Sequence, residues 1–379
     1  MIRPQPGTRL HRIGRHVRRV WRASRQRLLD GLRRTLPEWP RIALPRGLVS
    51  MSDLLRSGDI TGEILMESNE RLPLPRGPLG TLARLGESEH PPWPVFWTRH
   101  DQARLLGTSA LLVDQQNRAC AEAMFLGTQD GDPGYYALSL STPVFLRGNW
   151  TSLLSRWSLH PNYYHWMLDC LPRLAILNRL PPDTRVLVPP ALRAYQSDTL
   201  RWLGLDGRIQ SATEAHLCPE HFFFSAPASI SGWARPSAVE FLRREFLPRA
   251  DTSYPVAERV YVRRRAPTRC LLNESQVEAF LEHRGWRVVD PELLKLSEQI
   301  RLFSHARVLC GAHGAGLTNL LWCRPGCVAI ELCADNYLNG CYESIASCLG
   351  IEHRFLVHDA DGASRFHVDL KRLERILPD

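Results

Sequence analysis

The residues best suited to chemistry begin with a glycine-rich turn in the C-terminal third of the chain. Residues 311–316 read Gly-Ala-His-Gly-Ala-Gly, between an apolar run at 308–310 and a helical stretch at 317–322. A second apolar run, 327–330, ends at Glu331. This order predicts a strand, a tight turn, a helix and a strand. Because glycines let a backbone approach a ligand and a helix N-terminus presents free N–H groups, the turn favours a phosphate.

A basic loop is expected beside that turn. It follows an apolar strand at 259–263 and carries four arginines, Arg263, Arg264, Arg265 and Arg269. In a parallel sheet both loops leave the same edge, and the planar guanidinium suits phosphate oxygens. The sequence leaves open which of the three consecutive arginines contacts phosphate. It also leaves Glu331 open: it accepts from ribose hydroxyls, or it caps a helix or pairs with an arginine.

The same glycines allow a different chemistry. Reading from Gly314 gives Gly-x-Gly-x-x-Asn, with Asn319 where a dinucleotide fingerprint has its third glycine. The turn also follows the third predicted strand of its region, whereas the fingerprint follows the first. A nicotinamide-dependent oxidoreductase is therefore a second interpretation. A non-catalytic binding protein, or a tight turn without any ligand, is a third.

A second group of candidates lies on a predicted helix at 163–180. His165, Asp169 and Arg173 are spaced by four residues and therefore share one helical face. Tyr164 and Trp166 add aromatic rings, as sugar-binding clefts commonly do. The alternative is a surface ladder of ion pairs, each worth about a few tenths of a kcal/mol.

These candidates fall in two regions of different pattern. From residue 254 onward strands alternate with helices, which predicts a parallel doubly wound sheet with its ligand at the carboxyl ends of the strands. Before that point the pattern is one of short strands and turns, predicted at 110–114, 121–126, 135–140 and 144–146. We therefore divide the chain into an N-terminal arm, an N-terminal domain and a C-terminal domain: residues 1–40, 41–250 and 251–379.

The arm holds the basicity of the protein. Residues 1–40 contain eleven arginines and two acidic residues, so they account for the whole net charge of +9. Apolar residues recur at steps of three and four between Leu10 and Leu28, which predicts a basic amphipathic helix. Such a helix suits an anionic membrane surface. A solvated basic arm and a nucleic-acid patch are the alternatives, and we expect no nucleic-acid partner.

The composition of the chain also indicates its cellular location and whether it binds a metal. No run of 18 apolar residues is present among the 379, and no secretory leader is seen near the N-terminus, so a cytoplasmic protein is expected, peripheral at the cytoplasmic face of the membrane through its arm. The ten cysteines are expected to be reduced. Cys323 and Cys327 have no second pair at zinc-site spacing, and the Asp130-Gly-Asp132 turn is ordinary turn chemistry, so we expect no metal site.

Five segments taken together resemble glycosyltransferase family 61, a group that includes bacterial capsular-polysaccharide enzymes, plant xylan-decorating transferases and animal protein O-linked N-acetylglucosaminyltransferases. The segments are YYHWMLDCLPRL (163–174), YVRRRAPTRCLLNE (261–274), SEQIRLFSHA (297–306), GAHGAGLTNLLWCRPG (311–326) and the strand that ends at Glu331. The resemblance covers roughly residues 160–335.

The resemblance implies an α/β fold of the GT-B-like type, with two Rossmann-like domains facing a cleft. It also implies inversion at the anomeric carbon, no obligatory metal and no cofactor. The family's paired arginines fall on Arg264 and Arg269, and its catalytic helix on His165 and Asp169. The donor-binding set is then Arg264, Arg269, His313, Gly314, Ala315, Gly316, Asn319 and Glu331, and the acceptor side is formed by Tyr164, Trp166 and Arg173.

On this basis we expect a glycosyltransferase that moves a sugar from a nucleotide-diphosphate donor, a UDP-sugar, to a saccharide hydroxyl in capsular or cell-surface polysaccharide biosynthesis. Asp169 is expected to be the catalytic base, with His165 positioning the acceptor or sharing the proton. The reverse assignment of these two residues stays open. The oxidoreductase and a non-catalytic nucleotide-sugar-binding protein are the alternatives.

The arm generates a first testable prediction. A protein lacking residues 1–40 should stay folded and should lose affinity for anionic vesicles, because the arm carries the net charge and an apolar stripe. Binding of the full chain, measured by co-sedimentation, should weaken as salt rises, because screening shortens the reach of the charges. Vesicle binding that is unaffected by truncation or by salt would contradict the membrane role.

Overall fold

The computed structural model describes residues 45, 47–67, 72–73, 89–90, 94–124, 140–155, 157–158, 162–228 and 231–378. The arm at 1–40, the Asp130-Gly-Asp132 turn and the strand predicted at 135–140, apart from Leu140, lie outside these residues. Within them, no helix is both long and apolar enough to cross a membrane.

The N-terminal half is rich in short strands. Its elements are β1 Leu48–Val49, α1 Met51–Ser57, β2 Thr61–Met66, β3 Leu72–Pro73, β4 Glu89–His90, β5 Val95–Asp101, β6 Arg104–Leu106, β7 Leu111–Val113, β8 Ala119–Cys120, a 3-10 turn Glu122–Met124, β9 Val144–Ser152, a composite helix at 163–179, β10 Arg185–Val188, α2 Ala194–Trp202, β11 Ile209–Ser211, β12 His216–Ser225, α3 Pro236–Phe246 and a 3-10 turn Leu247–Arg249. In the described part of the strand predicted at 121–126, the chain forms this 3-10 turn instead.

Ten of these strands form one mixed sheet. Its order is β1-β8-β7-β6-β12-β9-β10-β11, with β5 paired to β12 and β2 to β5. The pairs β12–β9, β9–β10 and β10–β11 are parallel, whereas β5 and β6 run antiparallel to β12. Strands joined by short turns pair antiparallel, because a parallel connection needs a crossover of about a dozen residues. This half is therefore not an all-parallel Rossmann-like sheet, in contrast to the expectation from sequence.

The C-terminal half has the predicted alternation of strands and helices. Its elements are β13 Arg259–Val262, α4 Glu274–Glu282, β14 Arg287–Val289, a 3-10 turn Pro291–Leu293, α5 Leu296–Phe303, β15 Val308–Ala312, a 3-10 helix Ala315–Trp322, β16 Val328–Ala334, α6 Cys341–Leu349, β17 Glu352–His358 and α7 Leu370–Ile376. The helix after the glycine turn is thus of the 3-10 type.

All strand pairs of this second sheet are parallel, in the order β14-β13-β15-β16-β17. The chain order reverses between β13 and β15, which are neighbours in the sheet. In doubly wound sheets ligands bind at the carboxyl ends of the strands at such a reversal. The basic loop follows β13 and the glycine turn follows β15, so both predicted donor segments lie at this point.

The composite helix at 163–179 is irregular. It begins as an α-helical turn, Tyr163–His165, capped by the Asn162 side chain, which accepts from the Tyr164 N–H at 2.9 Å. A π-helical turn, Trp166–Cys170, and a 3-10 segment, Leu171–Arg179, follow. Pro172 has no N–H to donate, and the helix changes type one residue before it. Side chains four residues apart across this change no longer share one face.

The two halves pack directly on each other along the composite helix. Trp322 donates from Nε1 to the Tyr163 hydroxyl at 3.1 Å, and that hydroxyl lies 3.4 Å from Oδ1 of Asn319. Further along, the Ala234 N–H donates to Oγ of Ser344 at 2.8 Å. One apolar core contains buried residues from both halves. We refer to the contact between the composite helix and the 3-10 helix as the seam.

Candidate functional site

The glycines of the turn are required by what lies against them. A Cβ atom built on Gly314 would lie 1.9 Å from a guanidinium nitrogen of Arg264, and one on Gly316 would lie 2.7 Å from a Val262 methyl. A Cβ on Gly311 would approach the Val262 carbonyl oxygen to 2.9 Å. Contacts this short do not occur, so the turn accepts only glycine at these places without rearrangement. The basic loop therefore packs directly on the glycine turn.

Two of the four arginines of the loop are neutralised by acidic partners. Arg263 donates from Nη2 to Oε2 of Glu278 at 2.7 Å. Arg265 pairs in the same way with Asp290. Acidic partners therefore occupy two of the three consecutive arginines among which the sequence left the phosphate contact open.

The other two arginines lie side by side without an acid. Arg264 donates from Nε to the Thr268 carbonyl at 2.9 Å, and Arg269 stacks 4.4 Å above the Tyr337 ring. Within the described residues no carboxylate pairs with either guanidinium. Burial lowers the pKa of Arg264, and the neighbouring charge of Arg269 lowers it further. Two half-buried like charges are unfavourable unless an anion joins them, so this pair favours an anionic ligand.

A buried carboxylate lies beneath the turn. Glu331 on β16 accepts from Nδ1 of His313 and, at 2.9 Å, from Nε2 of His353. Its side chain is only 1% exposed. Burial alone would raise the pKa of Glu331, but the charges of the two imidazoles and their hydrogen bonds hold it at about 2. The structure thus pairs Glu331 with two histidines, where the sequence had suggested a ribose, a helix cap or an arginine as its partner, and leaves its side chain buried.

The Asn319 side chain is also not available to a ligand. It is fully buried, and its Nδ2 donates to Oε1 of Gln299 and to the Gly316 carbonyl, both at 3.0 Å. Asn319 thus holds the start of the 3-10 helix and the seam rather than the donor. Gly314 is buried at the turn, and Ala315 and Gly316, both half-buried, begin the 3-10 helix. Their backbone N–H groups belong to the first turn, which has no intrahelical partners.

On the other side of the seam, His165 and Asp169 form a hydrogen-bonded pair. Nδ1 of His165 lies 2.6 Å from Oδ2 of Asp169, and Ser231 donates from Oγ to the same oxygen at 2.8 Å. The Trp157 ring stacks on the imidazole at 4.3 Å. The Asp169 side chain is 1% exposed and that of His165 is 20% exposed. Asp169 therefore orients the imidazole, and of the two side chains only that of His165 is partly exposed.

Arg173 does not share this face as the sequence suggested. Its Nε donates to the Ser225 carbonyl and its Nη1 to the Leu154 carbonyl, both at 3.1 Å. The side chain is buried against the N-terminal sheet. The helix changes from π to 3-10 between Asp169 and Arg173, which changes the rotation per residue, so a spacing of four no longer brings these two side chains together. Arg173 supports the helix and does not line an acceptor site.

The two aromatic residues predicted on the acceptor side are buried as well. Trp166 is fully buried and donates from Nε1 to Oγ1 of Thr199 at 3.0 Å. Tyr164 is 5% exposed and packs edge-on against His165 at 5.5 Å and against Tyr342 at 5.9 Å. Aromatic residues in an amphipathic helix are most stable in the core, and that is where these two lie.

Tyr342 brings the two groups of residues together. Its ring lies 5.9 Å from that of Tyr164 and 5.0 Å from that of His313, which in turn lies 5.3 Å from Tyr337. A continuous row of rings thus runs from His165 to the basic loop. Packed aromatic side chains therefore connect the pair of His165 and Asp169 to the glycine turn and the two guanidiniums.

Several residues of this site were not found from sequence: Trp157, Ser231, Tyr337, Tyr342 and His353. Tyr337 and Tyr342 had a usable signal, because they follow the end of β16 and so lie at the carboxyl edge of the sheet. Trp157 and Ser231 carry no local pattern. His353 reads as an ordinary strand residue, and only the pairing of β16 with β17 brings it to Glu331.

Other concave surfaces lie elsewhere. A groove of about 810 Å³ on the N-terminal sheet is lined by residues including Arg104, Phe145, Arg147 and His216. It shares no lining residue with the site described above, so its size does not argue for a catalytic role. Among the described residues, no group of three His, Cys, Asp or Glu side chains is placed to hold a metal ion.

The comparison with known proteins agrees with this geometry. Residues 163–330 match the family model described as Glycosyltransferase 61. The match begins at the composite helix and ends one residue before Glu331, so it contains His165, Asp169, both free arginines and the glycine turn. A search of the curated proteins found no match.

The buried carboxylate generates a second prediction, about stability in acid. Because the folded-state pKa of Glu331 is lowered from its ordinary 4.5 to about 2, its contribution is present above pH 4.5 and is lost as the pH falls towards 2. At neutral pH, Glu331→Gln should lower the free energy of unfolding by roughly 3 kcal/mol. The difference from the wild type, measured by urea unfolding at each pH, should shrink between pH 4.5 and 2.

The matched control is Glu374→Gln, which removes an exposed partner of Arg284. We expect it to cost less than about 1 kcal/mol at any pH. A Glu331→Gln protein with the same acid dependence as the wild type would contradict the assignment of a paired, ionised Glu331.

Proposed function

The chain is a glycosyltransferase of family 61 through residues 163–330, and from that premise we propose that it moves a sugar from a nucleotide-diphosphate donor to a saccharide hydroxyl with inversion at the anomeric carbon. The best support for this proposal is the positive charge beside the glycine turn. Arg264 and Arg269 lie side by side against the glycine turn without a carboxylate partner among the described residues. The family assignment also replaces the oxidoreductase that the glycine turn by itself allowed.

In this proposal the donor diphosphate binds between the two arginines and the turn. The guanidiniums supply charge and planar N–H groups, and the first turn of the 3-10 helix supplies backbone N–H groups. When the donor is cleaved, negative charge develops on the diphosphate oxygen. Fixed positive groups at that point stabilise the charge without the cost of reorganising water. They can do so without a metal, and we propose metal-independent transfer from a UDP-sugar.

The geometry favours His165 over Asp169 as the base. Asp169 is buried and accepts from Nδ1 of His165, which leaves Nε2 as the basic nitrogen. Nε2 takes no hydrogen bond from the described residues, and its ring is held by the stacked Trp157. A carboxylate that orients an imidazole and stabilises its protonated form is a recurrent arrangement for general-base catalysis. We therefore reverse the roles expected from sequence.

The proposed reaction is a displacement at the anomeric carbon of the donor sugar. Nε2 of His165 takes the proton of the acceptor hydroxyl while the acceptor oxygen forms its bond to the anomeric carbon. On the opposite face the bond from that carbon to the diphosphate oxygen breaks, and the electron pair stays on the diphosphate. Asp169 then faces the imidazolium, and the two arginines face the departing charge. The base and the two arginines must lie on opposite sides of the sugar. The row of rings that connects them allows this arrangement.

The wider setting is also a proposal. We propose that the two halves face each other in a GT-B-like manner, with the acceptor on the side of the composite helix. The acceptor is a growing saccharide of a capsular or other cell-surface polysaccharide. Residues 1–40, with their eleven arginines, would hold the enzyme at the cytoplasmic face of the membrane, where such acceptors are assembled.

The donor site generates a third prediction. Arg264→Ala and Arg269→Ala should each weaken UDP binding by about tenfold or more, because each removes a charged hydrogen-bond donor worth about 1.5–3 kcal/mol. Isothermal titration calorimetry with UDP measures this. Arg265→Ala is the matched control, because that side chain is neutralised by Asp290 and should leave the affinity within a few-fold. If all three variants bind UDP like the wild type, the phosphate assignment is wrong.

The base generates a fourth prediction. His165→Ala should lower kcat by roughly 10²-fold or more, the usual scale for a general base, while UDP still binds. Asp169→Asn should also lower kcat, because the amide no longer fixes the imidazole with its proton on Nδ1. An assay of sugar transfer to the acceptor, monitored through the UDP that is released, measures the kcat of both variants.

The chain offers a matched pair of controls on its surface. His221 and Asp101 form a similar hydrogen bond, 2.7 Å from Nδ1 to Oδ1, on the N-terminal sheet. His221→Ala and Asp101→Asn should leave kcat within a few-fold. A folded His165→Ala enzyme that transfers sugar at nearly the rate of the wild type would remove His165 as the base.

A further inference from the structure

Beneath the proposed donor site lies a buried cluster of two histidines and one glutamate. His313 and His353 each have a side chain that is 5% exposed, and Glu331 between them is 1% exposed. Each oxygen of the carboxylate accepts from a different imidazole. A buried carboxylate has two oxygens to satisfy, and here each is satisfied by one histidine, so the carboxylate fixes both rings in place.

The hydrogen bonds decide where the proton of His313 lies. Because Glu331 is a carboxylate that only accepts, Nδ1 of His313 must carry a hydrogen. Its other nitrogen, Nε2, takes no hydrogen bond from any residue that the structure describes. The His313 ring packs between Tyr337 and Tyr342, at 5.3 and 5.0 Å. These contacts leave the imidazole little freedom to turn.

The position of His313 is next to the two free guanidiniums. It directly precedes Gly314, whose Cα is covered by Arg264, and Arg269 stacks on the same Tyr337 that packs against its ring. An anion held by these arginines therefore lies within the neighbourhood of His313. A neutral imidazole with its hydrogen on Nδ1 would present a lone pair from Nε2. An imidazolium would present an N–H instead, which a phosphate oxygen accepts.

We infer that Glu331 and His353 are positioning residues that hold His313 ready to take up a proton, so that Nε2 donates to the donor diphosphate in the bound state. This inference rests on the proposed function. The two imidazoles share one negative charge, and His353 keeps Glu331 fixed below His313 while His313 binds. On donor binding a proton passes from solvent to Nε2, and the charge of Glu331 compensates the imidazolium.

Proton uptake on binding makes the affinity for the donor diphosphate depend on pH. Binding that takes up a proton weakens as the pH rises, by up to tenfold for each pH unit. The titratable and charged groups that face His313 are Glu331 of β16, His353 of β17, Tyr337, Tyr342, Arg264 and Arg269. Of these, Glu331 carries negative charge and the two arginines carry positive charge.

The experiment measures UDP affinity by calorimetry between pH 5.5 and 9 in the full-length protein. In Glu331→Gln the UDP affinity at pH 7.5 should be weaker by about tenfold, because the imidazolium loses its compensating charge, and the fall of affinity with rising pH should differ from that of the wild type. His313→Asn should lose the pH-dependent component. His353→Gln, whose amide still donates to Glu331, should keep the profile, whereas His353→Phe should alter it. The control is His358→Gln. His358 is a buried histidine on the same strand as His353, and its replacement should leave the pH profile of UDP binding unchanged.

The ionisation of the nucleotide itself is common to all variants and cancels in the comparison. If Glu331→Gln is folded and keeps the wild-type pH profile, the cluster only stabilises the fold and the inference is overturned while the donor site stands. If the wild type binds no UDP, the proposed donor site fails and the inference fails with it. Nitrogen-15 NMR of the ligand-free wild type gives an answer even where a variant does not fold: an unprotonated Nδ1 on His313 would refute the inference.

Discussion

The site depends on the seam between the composite helix and the 3-10 helix that follows the glycine turn. Tyr163, Asn319 and Trp322 are joined there by hydrogen bonds across the two halves of the chain. Asn319 also fixes the start of the 3-10 helix through the Gly316 carbonyl. Because these groups are buried, breaking one bond would leave polar atoms without partners, which costs more than the bond itself contributes. The seam therefore sets the distance between the proposed base and the proposed donor site.

A second constraint is how the chain distributes its acidic residues. Glu278 and Asp290 neutralise Arg263 and Arg265, whereas Arg264 and Arg269 have no such partner in the described part of the chain. Across the seam, Asp169 is hydrogen-bonded to His165, whereas Arg173 donates to backbone carbonyls. Within the described residues, the placement of the acidic side chains thus leaves Arg264 and Arg269 as a pair of positive charges without a carboxylate partner.

The irregular geometry of the composite helix explains why the four-residue spacing of His165, Asp169 and Arg173 predicted one contact correctly and the other wrongly. Spacing of four residues correctly joined His165, at the end of the α-helical turn, to Asp169 in the π-helical turn. The same spacing failed for Arg173, because Arg173 lies in the 3-10 segment that begins at Leu171, after the π-helical turn has ended. Helical periodicity assumes a constant rotation per residue, and that assumption ends where Pro172 removes a backbone donor. The mixed sheet of the N-terminal half was missed for a related reason, since local strand patterns do not state the direction of pairing.

The sequence by itself determined the parallel C-terminal sheet, the glycine turn at its carboxyl edge, the arginine-rich loop beside it and the pair of His165 and Asp169. These follow from local patterns, since strand, turn and helix preferences are set by neighbouring residues. Only the tertiary structure decided which arginines stay free, that His165 rather than Asp169 is exposed, and that Glu331 lies buried between His313 and His353. Those outcomes depend on partners far away in the chain, because burial and ion pairing are properties of the packed fold and not of any segment within it.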